Sequence, residues 1–125
     1  MSINNNNNKT FYIYKIVCND ILINETYVGS TNNFKLRKNN HKCSCSDGRQ
    51  QLYKYIRNNG GWENWDMVLL EQFECDDKKK LLLREFYYQD LLNAKLNQNI
   101  PGRTQKEYYN LKKKIKKELI KFIII

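Results

Sequence analysis

Aromatic and β-branched residues alternate along two early stretches of the chain, and this alternation predicts two strands. The first stretch is residues 11–18 and the second is residues 25–30, with a polar connection between them. Because side chains alternate between the two faces of a strand, Tyr12 and Tyr14 share a face. If the two strands pair as an antiparallel hairpin, Tyr14 and Tyr27 are neighbours across it.

Helical spacing begins after the second strand. Asn32 or Asn33 is placed to cap a helix on which Arg37 and His41 stand four residues apart, on one face. A cationic pair near a helix start, just after a strand end and a glycine turn, is a candidate phosphate site. A plain surface helix has the same pattern, so both interpretations stay open. We expect a polar loop over residues 42–48.

The next two elements have apolar patterns of different period. Residues 49–59 are predicted to form a helix that ends at two consecutive glycines. Its expected inner face consists of Leu52, Tyr55, Ile56 and Asn59. Residues 65–73 are predicted to form a third strand, with one face made of Trp65, Met67, Leu69 and Phe73. Apolar residues also lie on its other face, which indicates a central or well-buried strand.

A helix predicted over residues 78–93 carries a carboxylate inside its apolar stripe. Asp76 or Asp77 caps this helix, and Leu81, Tyr88 and Leu92 form the centre of the stripe. Glu85 lies in the middle of it. Carboxylates are seldom buried unless they are paired, hydrogen-bonded or holding a metal, so a salt-bridged Glu85 and a metal-binding Glu85 both remain open.

The ends of the chain differ in composition from the middle. Residues 1–10 are rich in asparagine and are expected to form a disordered leader, and residues 11–103 are expected to form one domain. Residues 104–125 carry seven lysines and two glutamates and are expected to form a basic amphipathic helical tail. The apolar stripe of that tail, over residues 111–122, needs a partner, which is the domain itself, a second chain or nucleic acid.

Charge and cysteine content narrow the class of protein. The net charge is +9, which points to a polyanionic partner, most naturally nucleic acid. The chain has no apolar run long enough to span a membrane and no secretory signal pattern, so we expect an intracellular protein without membrane contact. Four cysteines in such a setting are expected to be reduced. His41, Cys43 and Cys45 match no common zinc spacing.

Several short motifs occur in an order and spacing that resemble the GIY-YIG nuclease domain. Tyr12-Ile13-Tyr14 stands where that family has Gly-Ile-Tyr, and Tyr27-Val28-Gly29 stands where it has Tyr-Ile-Gly. The remaining matches are Arg37, His41, Glu85 and Asn97. Each motif alone is weak, whereas the ordered set over residues 11–99 is fairly specific. One departure is Tyr12, a large side chain in the place of the motif glycine.

The resemblance implies a fold and a chemistry. The implied fold is α+β, a small three-stranded antiparallel sheet flanked by helices, here followed by the basic helix. The implied activity is that of a homing-endonuclease-like enzyme that hydrolyses DNA with one divalent ion, Mg²⁺ or Mn²⁺, held by Glu85. The implied catalytic residues are Tyr14, Tyr27, Arg37, His41, Glu85 and Asn97.

The roles that the resemblance implies suit the chemistry of these side chains. Arg37 would clamp a phosphate oxygen, and Tyr14 would accept a proton. Tyr27 and His41 would position water and phosphate, and Asn97 would support the site through hydrogen bonds. These roles require that the first five residues of the set converge on one cleft.

Two other functions compete with this prediction. The first is a catalytically inactive module of the same fold that binds nucleic acid through its basic surface. The second is an interaction domain that forms a weak dimer through residues 111–122 and is otherwise a monomer.

Overall fold

The computed structural model describes residues 8–97 together with Lys113, Lys114 and Lys117, which are helical and exposed. The rest of the expected tail helix, its apolar stripe over residues 111–122 and the leader before residue 8 lie outside the described residues. Within the part of the chain that is described, no helix is long and apolar enough to cross a membrane.

The core of the fold is a three-stranded antiparallel sheet, which confirms the predicted α+β architecture. Its strands are β1 (Lys9–Cys18), β2 (Tyr27–Thr31) and β3 (Trp65–Cys75), in the spatial order β2-β1-β3. β1 therefore starts within the stretch expected to be a leader. Of the two alternatives expected for the third strand, central or well-buried, the central position is wrong, since β1 holds it. Helices cover both faces of the sheet, so even an edge strand carries apolar residues on both sides.

The pairing of β1 with β3 contains an irregularity that changes which residues share a face. Ile13 lies opposite Glu71, whereas the next residue, Tyr14, lies opposite Leu69. One residue of β3 is thus left over, as in a β-bulge, and the alternation of its side chains is inverted beyond that point. The prediction that Phe73 shares a face with Met67 is wrong for this reason.

Two helices lie after β2, and the first is longer than expected. α1 (Phe34–Asp47) is capped by Asn33, whose side chain accepts from the amide of Leu36 at 3.1 Å. The loop expected over residues 42–48 is wrong, because the helix continues almost to its end. The buried Cys45 extends the inner face of α1 by one turn beyond His41, and its carbonyl accepts a hydrogen bond from Arg57.

The second of these helices and the helix that follows β3 cover opposite faces of the sheet. α2 (Gln51–Asn58) and the β1 face that carries Tyr14 form one hydrophobic cluster. α3 (Lys78–Leu91), capped by Asp77 as predicted, and the opposite β1 face, which carries Ile13, form the other. α3 also buries Leu83, Phe86 and Gln89, none of which belongs to either cluster.

Candidate active site

Two tyrosines meet across the β1–β2 pair, as the strand alternation predicts. Tyr14 lies opposite Gly29, and the rings of Tyr14 and Tyr27 have centroids 6.4 Å apart. A Cβ atom added to Gly29 would lie 2.6 Å from the Tyr14 hydroxyl oxygen and 3.0 Å from the Tyr27 ring. Only glycine leaves the space that both phenol rings occupy, and this explains why the motif has a glycine at this position.

Arg37 and His41 reach the same phenol from α1. His41 Nε2 lies 2.7 Å from the Tyr14 hydroxyl oxygen, and Arg37 Nε donates to that oxygen at 3.4 Å. Tyr14 and His41 are both fully buried. The side chains that the sequence places one turn apart on α1 therefore form a connected polar group with the strand tyrosine.

Aromatic rings surround His41 and control its charge. The rings of Tyr14, Tyr27, Tyr53 and Trp62 all have centroids within 6.4 Å of the imidazole centroid. Burial, with a smaller contribution from Arg37, lowers the pKa of His41 to about 4. The imidazole is therefore neutral at physiological pH, and one of its nitrogens is an acceptor.

Sequence reasoning missed Tyr53. The inner face expected for α2 included Tyr55 and omitted Tyr53, whereas Tyr53 is buried and lies 3.0 Å, through its hydroxyl oxygen, from His41 Nδ1. Tyr55 instead donates from its hydroxyl to Glu25 at 2.8 Å. The signal that could have found Tyr53 is its position one turn before the buried Ile56, on the side of α2 that faces α1.

Glu85 approaches from the other face of the sheet. Its carboxylate accepts a hydrogen bond from the Ser30 hydroxyl at 3.0 Å, and burial raises its pKa despite that bond. Among the described residues no cation pairs with it. A carboxylate partly removed from water is costly unless its charge is compensated, so Glu85 is expected to take up a proton or a cation that the described residues do not supply.

The site residues meet around β2, an edge strand. Arg37 lies on the face that carries Tyr14, while Ser30 and Glu85 lie on the face that carries Ile13. Burial is the main cause that raises the pKa of both phenols. The Glu85 charge adds to that increase, and the Arg37 charge opposes it. The charges of Arg37 and Glu85 thus act on the same two phenols with opposite sign and from opposite faces of the sheet, and the expected convergence of all five residues on one cleft stays a prediction.

Asn97 supports this edge from the end of the domain. Its side-chain oxygen accepts from the Val28 amide at 2.7 Å, and its side-chain nitrogen donates to the Val28 carbonyl at 2.8 Å. The amide group replaces the neighbouring strand that β2 lacks on this side. Val28 stands between Tyr27 and Gly29, so Asn97 fixes the segment that carries both residues without contacting their side chains.

Tyr12 and the cysteines lie apart from this group. Tyr12 pairs with Thr31 and Gln72 and is half-buried, and no ring contact joins it to Tyr14 among the described residues. All four cysteines are free thiols, as expected. Cys43 is exposed while His41 points inward, and no three acidic, histidine or cysteine residues of the described chain are grouped to hold a metal.

The residues present fit a single hard cation better than a metal enclosed by protein. Glu85 is a half-buried carboxylate without a cationic partner among the described residues, and hard oxygen ligands are those that Mg²⁺ prefers. Mg²⁺ usually keeps several waters and takes one or two carboxylates together with substrate phosphate oxygens. Glu85 would supply one such carboxylate.

Comparison with known proteins agrees with this geometry. The sequence model of the GIY-YIG catalytic domain family matches residues 10–99 of the chain. That range contains every residue of the site described above. Neither a curated protein nor a solved structure is significantly similar to the chain.

Proposed function

The chain belongs to the GIY-YIG catalytic domain family, a family of nuclease domains, and we propose that it is a divalent-metal-dependent endonuclease that hydrolyses DNA phosphodiester bonds. The observation that carries the proposal is the hydrogen-bonded group of Arg37, His41 and Tyr14, with Glu85 bonded to Ser30 on the strand that carries Tyr27. Arg37 can bind an anion and Glu85 can bind a cation, and a reaction on a phosphate needs both.

The chain's own residues divide the work by their chemistry. Arg37 is charged at any physiological pH and binds a non-bridging phosphate oxygen, which orients the scissile bond and offsets developing negative charge. Tyr14 stands beside it and accepts the proton of the attacking water as its own hydroxyl proton passes to Nε2 of the neutral His41, while Tyr27 and His41 hold the reacting groups in position.

Glu85 would hold the divalent ion. When bound, the ion supplies Lewis-acid stabilisation of the charge that develops on the phosphate oxygens. It would also neutralise the carboxylate, whose pKa is raised by burial. The net charge of +9 supports attraction of the DNA backbone.

A plasmid-nicking assay tests the proposal. Supercoiled plasmid is incubated with the protein and Mg²⁺, with Glu85→Gln and with Glu74→Gln as the matched control, since Glu74 is exposed on β3. We expect wild type and the control to nick the plasmid. Glu85→Gln should be at least about a hundredfold slower, because the ion loses its charged ligand.

Other outcomes of the assay decide between this function and its alternative. Cleavage that persists in EDTA or in Glu85→Gln would contradict metal-dependent hydrolysis at this site. Salt-sensitive DNA binding without cleavage at any Mg²⁺ or Mn²⁺ concentration would instead indicate an inactive nucleic-acid-binding module.

The homing-endonuclease-like type stays a finer prediction within this function. It requires cleavage at a preferred target, with one position or a few positions dominating on a long DNA. Sequencing the ends of the cleavage products tests it, and uniformly distributed ends would contradict it.

A further inference from the structure

The proposed function uses one nitrogen of His41 and leaves the other unexplained. Nε2 faces the Tyr14 hydroxyl at 2.7 Å, and Nδ1 faces the Tyr53 hydroxyl at 3.0 Å. The imidazole is fully buried, and Tyr53 is only 5% exposed, so water does not substitute freely for either phenol. A neutral imidazole has one donor and one acceptor nitrogen, and its neighbours decide which is which.

The hydrogen bonds of Tyr14 determine which nitrogen of His41 accepts and which one donates. Arg37 Nε has no acceptor capacity, so it must donate to the Tyr14 hydroxyl oxygen. Within the described residues, the only other hydrogen-bond partner of that hydroxyl is His41 Nε2. Because Tyr14 is fully buried, its hydroxyl proton needs an acceptor within the protein, and among the described residues that acceptor is Nε2. His41 then carries its proton on Nδ1 and donates it to Tyr53.

We propose that Tyr53 is a positioning residue, which fixes the orientation of the His41 ring by accepting the Nδ1 proton. Nε2 is thereby held in place to accept from the Tyr14 hydroxyl. The Tyr14 proton then points toward the histidine, and its oxygen accepts from Arg37. The consequence for catalysis rests on the proposed nuclease function, in which Tyr14 accepts a proton from water.

The fold holds Tyr53 in a way that suits this role. Gly48, which ends α1, leaves room for the Tyr53 ring, since a Cβ atom there would lie 2.5 Å from ring atom Cδ2. The ring is thereby enclosed between the end of α1 and the start of α2. Packing holds the Tyr53 hydroxyl oxygen next to His41, so the side chain loses little rotational freedom when the hydrogen bond forms.

The tautomer is measurable without any substrate. His41 is the single histidine of the chain, so ¹⁵N-histidine labelling gives one imidazole whose two nitrogen shifts separate protonated from unprotonated nitrogen. At pH 7 we expect a protonated Nδ1 and an unprotonated Nε2 in wild type. In Tyr53→Phe we expect the same tautomer, because Tyr14 still donates to Nε2, but a shifted Nδ1 signal and a faster exchange of its proton, because that proton has lost its acceptor. A wild-type protein protonated at Nε2 would overturn the proposal, as would a Tyr53→Phe protein whose Nδ1 shift and proton exchange equal those of wild type.

Cleavage kinetics test the catalytic consequence. Tyr53→Phe should lower kcat by about tenfold to a hundredfold with KM little changed, because the substrate does not contact Tyr53. The matched control is Tyr55→Phe, which removes a hydroxyl from the same helix that bonds Glu25 instead of His41, and its kcat should equal that of wild type. Equal kcat losses in the two variants would reduce Tyr53 to a residue of general structural importance and would overturn its positioning role.

The two experiments separate this inference from the proposed function. If wild type does not cleave DNA while its tautomer is as expected, the nuclease proposal fails and the structural role of Tyr53 stands. If wild type cleaves DNA and Nε2 carries the proton, the inference alone fails.

Discussion

The sheet carries two groups of arginine, glutamate and tyrosine that are assembled differently. In the first group, Arg84 donates from Nη2 to Glu71 at 2.7 Å and from Nε at 3.0 Å, and Tyr88 donates to the same carboxylate at 2.7 Å. In the second group, Arg37 and Glu85 lie on either side of the strand tyrosines without pairing with each other.

The two carboxylates show the consequence of this difference. The hydrogen bonds from Arg84 lower the pKa of Glu71, whereas burial raises the pKa of Glu85. In the first group opposite charges neutralise each other, and the group needs nothing further. In the second group neither charge has an ionic partner among the described residues, as the proposed binding of a phosphate and a cation requires.

Replacing each arginine by alanine is the strongest test of this comparison. Arg37→Ala should slow DNA cleavage at least about a hundredfold while leaving the free energy of unfolding within about 1 kcal/mol, because its bond to Tyr14 is long. Arg84→Ala should do the reverse, with a loss of about 1 to 2 kcal/mol of stability, since its pair with Glu71 is partly exposed. Urea unfolding and single-turnover cleavage measure the two effects. Equal losses of activity per folded molecule would remove the distinction.

Gly29→Ala tests whether the group of Arg37, Glu85 and the strand tyrosines depends on the close approach of the Gly29 backbone to the two phenol rings. The added methyl would meet the Tyr14 hydroxyl oxygen and the Tyr27 ring, so both rings must shift. We expect a loss of about 1 to 3 kcal/mol in stability, and cleavage slowed by at least about tenfold because Tyr14 is displaced from His41 and Arg37. Unaltered kcat in this variant would show that the phenol positions are not decisive.

The pH dependence of unfolding tests the two carboxylates directly. The lowered pKa of Glu71 means that its stabilising contribution is present above the ordinary glutamate pKa of 4.5 and is lost as pH falls through the folded-state pKa. Glu71→Gln should therefore cost about 1 kcal/mol at pH 7 and little at a pH below the folded-state pKa. The raised pKa of Glu85 has the opposite sign, because the folded protein binds that proton more tightly than the unfolded chain.

Glu85→Gln should accordingly be as stable as wild type or more stable at pH 7. The difference should vanish as pH falls below 4.5, where Glu85 is protonated in both states. Urea unfolding of wild type and both variants at several pH values, without divalent ions, measures this. A Glu85→Gln protein that is less stable than wild type at pH 7 would mean that a cationic partner already compensates the carboxylate.

Parts of the fold and most of the site were predictable because they depend on local rules. Strand alternation placed Tyr14 beside Tyr27, and a short polar side chain before the helix predicted the Asn33 cap. Glu85 was recognisable because a carboxylate inside an apolar stripe contradicts the usual pattern. The expected loop over residues 42–48 was wrong, because burial of Cys45 against α2 outweighs the polar composition of that segment.

The amino-acid sequence by itself determined which chemical groups the site contains and the order in which the chain presents them. Only the tertiary structure decided how they are paired. The bulge in β3 fixes which of its side chains face α3, and Glu71 there closes the pair with Arg84. Tyr53 meets His41 because α2 packs on α1, a contact between residues that no helical period relates. The periodicity of side chains relates residues within one helix or strand, whereas hydrogen-bond partners can come from different elements. Which side chains pair therefore depends on the assembled fold.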